Sequence, residues 1–474
     1  MQSRRQLLQS CYGGLGLLGL AGLMRADNAS QAGELELPEP HLPRKAKRCI
    51  FLFMQGGVSQ VDSFEYKPEL NRYHGKAVPQ HLQVEGEIEG RLSHDHQCYG
   101  SPFTFKQHGD SGRYMSELFP HLAKHADRLA MIHGIETDNP NHGPSTLHVT
   151  TGSQFPGSAA VGSWVNYGLG SENEEMPGFA VIQDPRGAPV NGAQVWNSGY
   201  LPASYQGTLL RSTGTPILNL SSPAGISSTQ QRREFDQLKW LNDRHKEPFP
   251  NQDPLEARIQ AYELAFRMQT QAPALMDLAD EPEHIRELYG LDQNETSTFG
   301  RQCLLARRMA ESGVRFTMLI HGVQIGSHSW DDHGNVKAGM IRHSKEVDQP
   351  VSALLTDLEQ RGLLDETLVV WASEMGRTPF VNGKVSETSG RDHNKYGLVM
   401  WMAGGDIRPG STAGQTDDFG LRAAETPIPI RDVHATLLDL MGLDDDQLRF
   451  RHAGRLRQLT DIGGSVLSDI HGLM

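Results

Sequence analysis

"TLVVWASEMGRTPF", Thr367 to Phe380, begins as a buried strand and ends in charge. Thr367 to Ala372 suit a strand covered on both faces, where apolar residues run on without alternation. The run then meets Glu374 and Arg377 with Gly376 between them. A strand this apolar that stops at a carboxylate and a guanidinium carries polar groups at its carboxyl end. Whether they do chemistry depends on what the other strands end in.

Comparable apolar runs recur along the chain: "CIFLFM" (49–54), "RLAMIHG" (128–134), "GFAVIQ" (178–183), "VRFTMLI" (314–320) and "YGLVMWMAGG" (396–405). Helical periodicity lies between them. "GRQCLLARRMAESG" (300–313) closes on Gly313, "KEVDQPVSALLTDLEQRG" (345–362) on Gly362, and "RDVHATLLDLMG" (431–442) on Gly442. Continuous apolar strands alternating with helices predict an α/β protein, a mostly parallel sheet with helices on both faces. From about 195 to 294 the strand rhythm breaks. Two helical periods there read as a mainly helical insertion, either packed near the site mouth or simply connecting.

Open sheets of this kind bind ligands beyond the carboxyl ends of their strands. After "FLFM" comes "QGGVSQVDSFEYKP" with Asp62, Glu65 and Lys67; after "LAMIHG" comes "IETDNPNHGPSTLHVTTG" with His142 and Ser145. "HGVQIGSHSWDDHGN" supplies His321, His328, Asp331, Asp332 and His333. Glu374 and Arg377 follow "TLVVWAS" (367–373), and "SGRDHNKYG" brings Arg391, Asp392 and His393 just before the last run. One Asp after a strand is ordinarily a helix cap. Five segments delivering Asp, Glu or His to one sheet edge point to a cation, because buried unpaired charge is costly. The mixed carboxylate and imidazole set suits zinc, manganese or iron better than magnesium or calcium alone. It is enough for one or two ions with a position left open. Asp331 and His333, two apart, face one way on extended backbone. Arg377 has two readings, an oxyanion clamp through paired N–H donors or a structural partner of Glu374.

Composition narrows the class. A formal net charge of −13 argues against a general nucleic-acid binder, which shows a basic face. "SRRQLLQ" (3–9) followed by the short Gly- and Leu-rich "CYGGLGLLGLAGLM" (11–24) reads as a twin-arginine export signal over residues 1–29, with a leader over 30–46. The apolar run falls short of the roughly 20 residues that span a bilayer comfortably. Cys49, Cys98 and Cys303 remain after the signal, an odd and widely spaced set that forms no disulfide framework.

Taken in order, "FMQGGVSQVDSFEYKPEL", "NHGPSTLHVTTG", "SWDDHGN", "DETLVVWASEMGRTP", "GRDHNKYG", "AGGDIRPGSTAGQTDD" and "IRDVHATLLDLMG" resemble the bacterial domain of unknown function 1501 family, sulfatase-like proteins of the alkaline phosphatase-like superfamily. The resemblance covers about Lys47 to the C-terminus, residues 47–474. It implies a three-layer α/β/α sandwich with one or two divalent metals beside a nucleophile. It also implies metal ligands at Asp62, Asp331, His333, Glu374, Asp392 and His393. "HGPSTLHVTTG" is similar to the sulfatase signature, but His142 stands where formylglycine arises and Thr146 where an Arg belongs. Formylglycine chemistry is therefore not expected, and His142, Ser145 or a water is left as nucleophile. Met375 stands where the superfamily places a His.

These expectations converge on an exported, metal-dependent hydrolase of sulfate or phosphate esters. Metals are expected at Asp62, Asp331, His333, Glu374, Asp392 and His393, with His142, Ser145 and Arg377 as catalytic candidates. Zinc, manganese and calcium are not distinguished. The expected partners are a sulfated or phosphorylated small molecule or glycan, and the twin-arginine machinery in transit. One rival is a degenerate fold that binds anionic glycans or another exported protein. A second is a phosphomutase acting through Ser145.

Overall fold

The computed structural model describes residues 38–82, 96–217, 220, 225–246, 253–324, 328–381 and 383–470. The residues read as an export signal lie outside them, as does the first part of the segment read as a leader. The leader's end, by contrast, docks on the protein: Leu42 N–H donates to Gly442 O and Ala46 N–H to Leu440 O.

Seven strands form the body of one sheet: β1 (Arg48–Met54), β2 (Ala130–Glu136), β3 (Phe179–Ile182), β4 (Thr208–Leu210), β5 (Phe316–His321), β6 (Thr367–Ala372) and β7 (Leu398–Ala403). Their spatial order is β2-β7-β6-β1-β5-β3-β4, with the short Thr412–Ala413 and Ile428–Pro429 pairing beside β2. β1 lies parallel to both β5 and β6, with Phe51 opposite Met318 on one side and Val370 on the other. Every residue of β5, β6 and β7 is buried. That two-sided burial is why these runs show no polar alternation.

Side chains of β1 divide between two cores. Ile50, Leu52 and Met54 pack with Leu304 and Met309 of α3 (Ser297–Glu311) and with Val351 and Leu355 of α4 (Val336–Gln360). Cys49, Phe51 and Phe53 pack with Trp164 of α1 (Val161–Leu169) and with Val433 and Leu437 of α5 (Ile430–Leu440). The architecture is therefore helix, sheet, helix. Within the segment read as an insertion, Thr208–Leu210 extends the sheet. α2 (Asp253–Met276) adds Met268, Ala272 and Leu275 to the first core. This helix covers the sheet.

The expected helix stops hold: Gly313, Gly362 and Gly442 each take the left-handed backbone that ends a helix, with φ of +82°, +67° and +82°. α4 starts nine residues before its sequence signal at Lys345, capped by the Asn335 side chain, which accepts from Ala338 N–H at 3.3 Å. One strand departs from the parallel pattern: β7 runs antiparallel to both β2 and β6. The segment before β7 consequently lies at the same edge as the segments that follow β1, β2, β5 and β6. The three remaining cysteines are free and buried, consistent with structural thiols.

Candidate metal centre

The site is built on the turn after β1. Gly56 has φ +120°, and a Cβ there would lie 2.5 Å from Trp330 N, so the close approach of the 328–333 loop requires glycine. Trp330 N–H donates to Gln55 O at 2.9 Å and presents Asp331 to the edge. From the other side, Arg377 and His393 pair across a two-residue antiparallel ladder, Gly376–Arg377 with His393–Asn394.

Three imidazoles converge on one carboxylate oxygen. Asp331 Oδ1 lies 2.9 Å from His333 Nε2, 3.2 Å from His393 Nε2 and 3.3 Å from His142 Nε2. His333 Nε2 and His393 Nε2 are themselves 2.9 Å apart. Four side chains thus bring one ligand atom each within 4.8 Å of one another, a set that fits one divalent ion. Asp331 and His333 are partly open to solvent, with 31% and 48% of their side chains exposed, so the group can be reached from outside.

The tautomer of His142 is set from behind. Glu374 is fully buried, and its Oε1 lies 2.8 Å from His142 Nδ1. The same carboxylate accepts from Gln55 Nε2 at 2.7 Å and from Gly56 N–H at 2.8 Å. A carboxylate on Nδ1 leaves Nε2 as the ligand atom, the arrangement that orients metal-binding histidines. His142 Nε2 is buried and lies 3.3 Å from Asp331 Oδ1 without a well-aligned hydrogen bond, which suits it to ligate a cation. Without one, burial disfavours the imidazolium, but the carboxylates of Asp331 and Glu374 outweigh burial and raise its pKa to about 9. Asp331 is pushed up by burial too, yet its three imidazoles and Arg377 hold it well below the usual carboxylate range.

The sequence-predicted residues therefore divide. His142, Asp331, His333 and His393 come together. Glu374 backs His142 from behind. Asp392 sits at the rim, 3.6 Å from His333 Nδ1, and accepts from the backbone N–H of His393 at 2.8 Å. Asp62 stands apart from the cluster: it is fully buried and gripped by Arg391 through Nε at 2.6 Å and Nη2 at 3.0 Å. Arg391 also stacks on Tyr99, with 4.6 Å from its guanidinium carbon to the ring centre. Ser145 is buried in the first turn of the His142–Thr151 helix and donates to Asn139 O, so its hydroxyl points away from the imidazoles' meeting point.

Arg377 differs from both of its expected roles. Its Nε donates to Gly57 O at 3.0 Å, Nη1 to Arg391 O at 3.2 Å, and Nη2 to Gly56 O and to Asp331 Oδ1, the last at 2.6 Å. All three of its nitrogens are engaged by the protein, and its carboxylate partner is Asp331 rather than Glu374. It ties the Gly56–Gly57 turn to the Asp331 loop and offers no clamp to a substrate.

Sequence reading missed the surroundings of the cluster. Beside it opens a polar cleft of about 250 Å³ lined by His333, Lys384, Ser386, Thr388 and Asp392 among others. Lys384 has no motif of its own, and its place between "GRTPF" and "GRDHN" was the available signal. Trp330 is buried, and its Nε1–H donates to His321 Nδ1 at 3.1 Å. His321 Nε2 must then carry the proton shared with Glu346 Oε2 at 2.7 Å. His321, His343 and Glu346 also lie within ligand reach of one another. With the proton on His321 Nε2, the ring acts as a hydrogen-bonded support between Trp330 and Glu346.

Comparison with solved structures finds likeness at low identity. Ps i-CgsB, solved in complex with k-i-k-neocarrahexaose, is 12% identical, with 85% of this chain and 74% of that chain covered and a TM-score of 0.37. PsFucS1 sulfatase from Pseudoalteromonas sp. is 12% identical over 90% of this chain and 72% of its own, with a TM-score of 0.34. A protein in the alkaline phosphatase superfamily from Vibrio parahaemolyticus is 11% identical over 91% and 76%, with a TM-score of 0.33. Likeness of this degree bears on neither substrate nor mechanism. No curated protein matches the chain. A family profile does, over residues 46–471: the chain belongs to the family described as "Protein of unknown function (DUF1501)".

Proposed function

We propose that this chain is an exported, metal-dependent hydrolase of sulfate or phosphate esters. The observation that carries the reading is the convergence of His142, His333 and His393 through Nε2 on Asp331 Oδ1. Three imidazoles and one carboxylate form a donor set suited to zinc or manganese. When bound, a divalent ion supplies Lewis-acid polarisation of an ester oxygen and makes water acidic enough to attack at neutral pH.

The protein's own groups arrange the rest. Glu374 fixes His142 with Nε2 facing the cluster. Arg377 holds Asp331 against the Gly56–Gly57 turn, so both work as positioning residues. The cleft beside His333 takes the anionic group, where Lys384 contributes positive charge and Ser386 and Thr388 contribute hydroxyl donors. The substrate is accordingly a small sulfate or phosphate ester, or a glycan bearing one. Ser145 donates to Asn139 O and His142 stands among the ligand atoms, so water is the nucleophile in this reading. That same lack of a free side-chain nucleophile favours, as second reading, a protein that binds anionic glycans without turning them over.

Elemental mass spectrometry on protein starting near residue 30 tests the first step. One equivalent of zinc or manganese, lost in Asp331→Ala/His393→Ala, is expected. A folded, metal-free protein overturns the metal centre. Turnover of 4-methylumbelliferyl sulfate or phosphate then separates the hydrolase from the binding protein.

A further inference from the structure

A second cleft, of about 340 Å³, opens where Glu65, Lys67, His133 and Thr416 meet. Its volume lies within the roughly 300–1,000 Å³ of small-molecule sites. Glu65, only 4% exposed, organises its floor. Its Oε1 lies 2.9 Å from His133 Nδ1, and its Oε2 accepts from the Thr416 hydroxyl and lies 3.4 Å from Lys67 Nζ. Lys67 Nζ also donates to Thr416 O at 3.1 Å. Burial pushes the Glu65 carboxyl up, but His133, Lys67 and Thr416 outweigh it and keep it ionised.

An ionised carboxylate only accepts, so His133 Nδ1 carries the hydrogen, which in the neutral tautomer leaves Nε2 as an acceptor. The ammonium of Lys67 has three N–H groups, more than its two protein partners use. One carboxylate therefore holds an acceptor and a donor on either side of itself, both lining the cleft. The wall above them is aromatic. Tyr66 and Tyr114 pack with a 36° tilt and centroids 4.9 Å apart, and Phe105 lies 5.4 Å from Tyr66. Tyr66 and Tyr114 are 37% and 40% exposed, so the pair offers ring surface to solvent.

A neighbouring donor and acceptor match hydroxyl groups, each of which both gives and takes a hydrogen bond. An aromatic shelf beside them matches the flat C–H face of a saturated ring. Glu65 balances Lys67, and Arg113 in the wall gives Nη2 to Leu129 O and Ser411 O at 3.1 and 3.0 Å and Nε to Ala126 O, so both cations are already held by the protein, which favours a neutral ligand. We propose that this cleft binds the pyranose ring of a neutral carbohydrate, held by the Tyr66–Tyr114 shelf and by His133 and Lys67. The site is independent of the metal centre, and it stands whether or not an ion binds at Asp331.

The test uses the chain from residue 30 onward, probed in EDTA on an array of neutral and sulfated oligosaccharides, with titration of the best neutral member. Binding of a neutral glycan that weakens at least tenfold in Tyr114→Ala and in His133→Gln supports the cleft. Tyr114 is a surface residue, so its substitution leaves the fold intact; glutamine keeps a donor for Glu65 while moving the acceptor away from the position of Nε2. Three outcomes overturn the proposal: no neutral glycan is bound, binding is unchanged in both variants, or binding is lost instead in Asp331→Ala/His393→Ala. Loss of metal without loss of glycan binding would remove the hydrolase reading and leave this one standing.

Discussion

Glu374 and His142, 232 residues apart in the chain, share a 2.8 Å hydrogen bond at the bottom of the site. The carboxylate that follows β6 does not reach the cluster itself. It holds the histidine that does. Glu374→Gln would keep the shape of the site and weaken this link. If an ion binds at Asp331, its affinity should fall about 10- to 100-fold, the usual cost of losing an outer carboxylate. Calorimetric titration with zinc measures it, and an unchanged affinity would detach Glu374 from the metal centre.

The buried pair of Asp62 and Arg391 makes a prediction about folding. Both side chains are fully covered. Arg391→Met leaves a buried carboxylate without its partner, which costs about 3–5 kcal/mol. Urea denaturation should show that loss in full. A loss under about 1 kcal/mol, typical of exposed pairs, would mean that Asp62 has another cation within reach.

His321 links Trp330 to Glu346 and so fixes the loop that carries Asp331. His321→Phe keeps the ring volume and leaves the Trp330 N–H and the Glu346 carboxylate each short of a partner. Stability should drop by about 1–3 kcal/mol for the buried Trp330 N–H, while Glu346 keeps its bonds from Arg186. Metal affinity should drop as well, because Asp331 loses its support. His321→Gln, which can still bond one of the two, should recover part of both. Equal metal affinity in wild type and both variants would show that the loop is held without His321.

His434 gives the chain an acid limit. Burial in α5 lowers its pKa from 6.5 to about 4, although its Nε2–H donates to Val149 O at 2.8 Å. The unfolded chain therefore takes up a proton at a higher pH than the folded one. The neutral ring's contribution is complete above about pH 6.5 and is lost as pH falls through about 4. At roughly 1.4 kcal/mol per pH unit that amounts to about 3 kcal/mol. Denaturation midpoints between pH 7 and 4 should fall in wild type and fall less in His434→Gln, which keeps a donor for Val149. Parallel pH curves would place the acid sensitivity elsewhere.

Much of this was legible in the sequence, and the reason is local. Thr367–Ala372 and Cys49–Met54 read as central strands because a strand covered on both faces must be apolar at every position. The helices ended where Gly313, Gly362 and Gly442 could take positive φ. Asp331 and His333 stood out because they are two apart on one loop. What the sequence did not determine was which charge meets which. Arg391 finds Asp62 across 329 residues, and Arg377 finds Asp331 rather than its near neighbour Glu374. Those choices follow from strand order, and from the reversed direction of β7, which brings His393 to the common edge from the amino-terminal side of its strand. Periodicity reports how each segment is covered, one at a time. Only the assembled sheet sets the distances over which opposite charges select their partners.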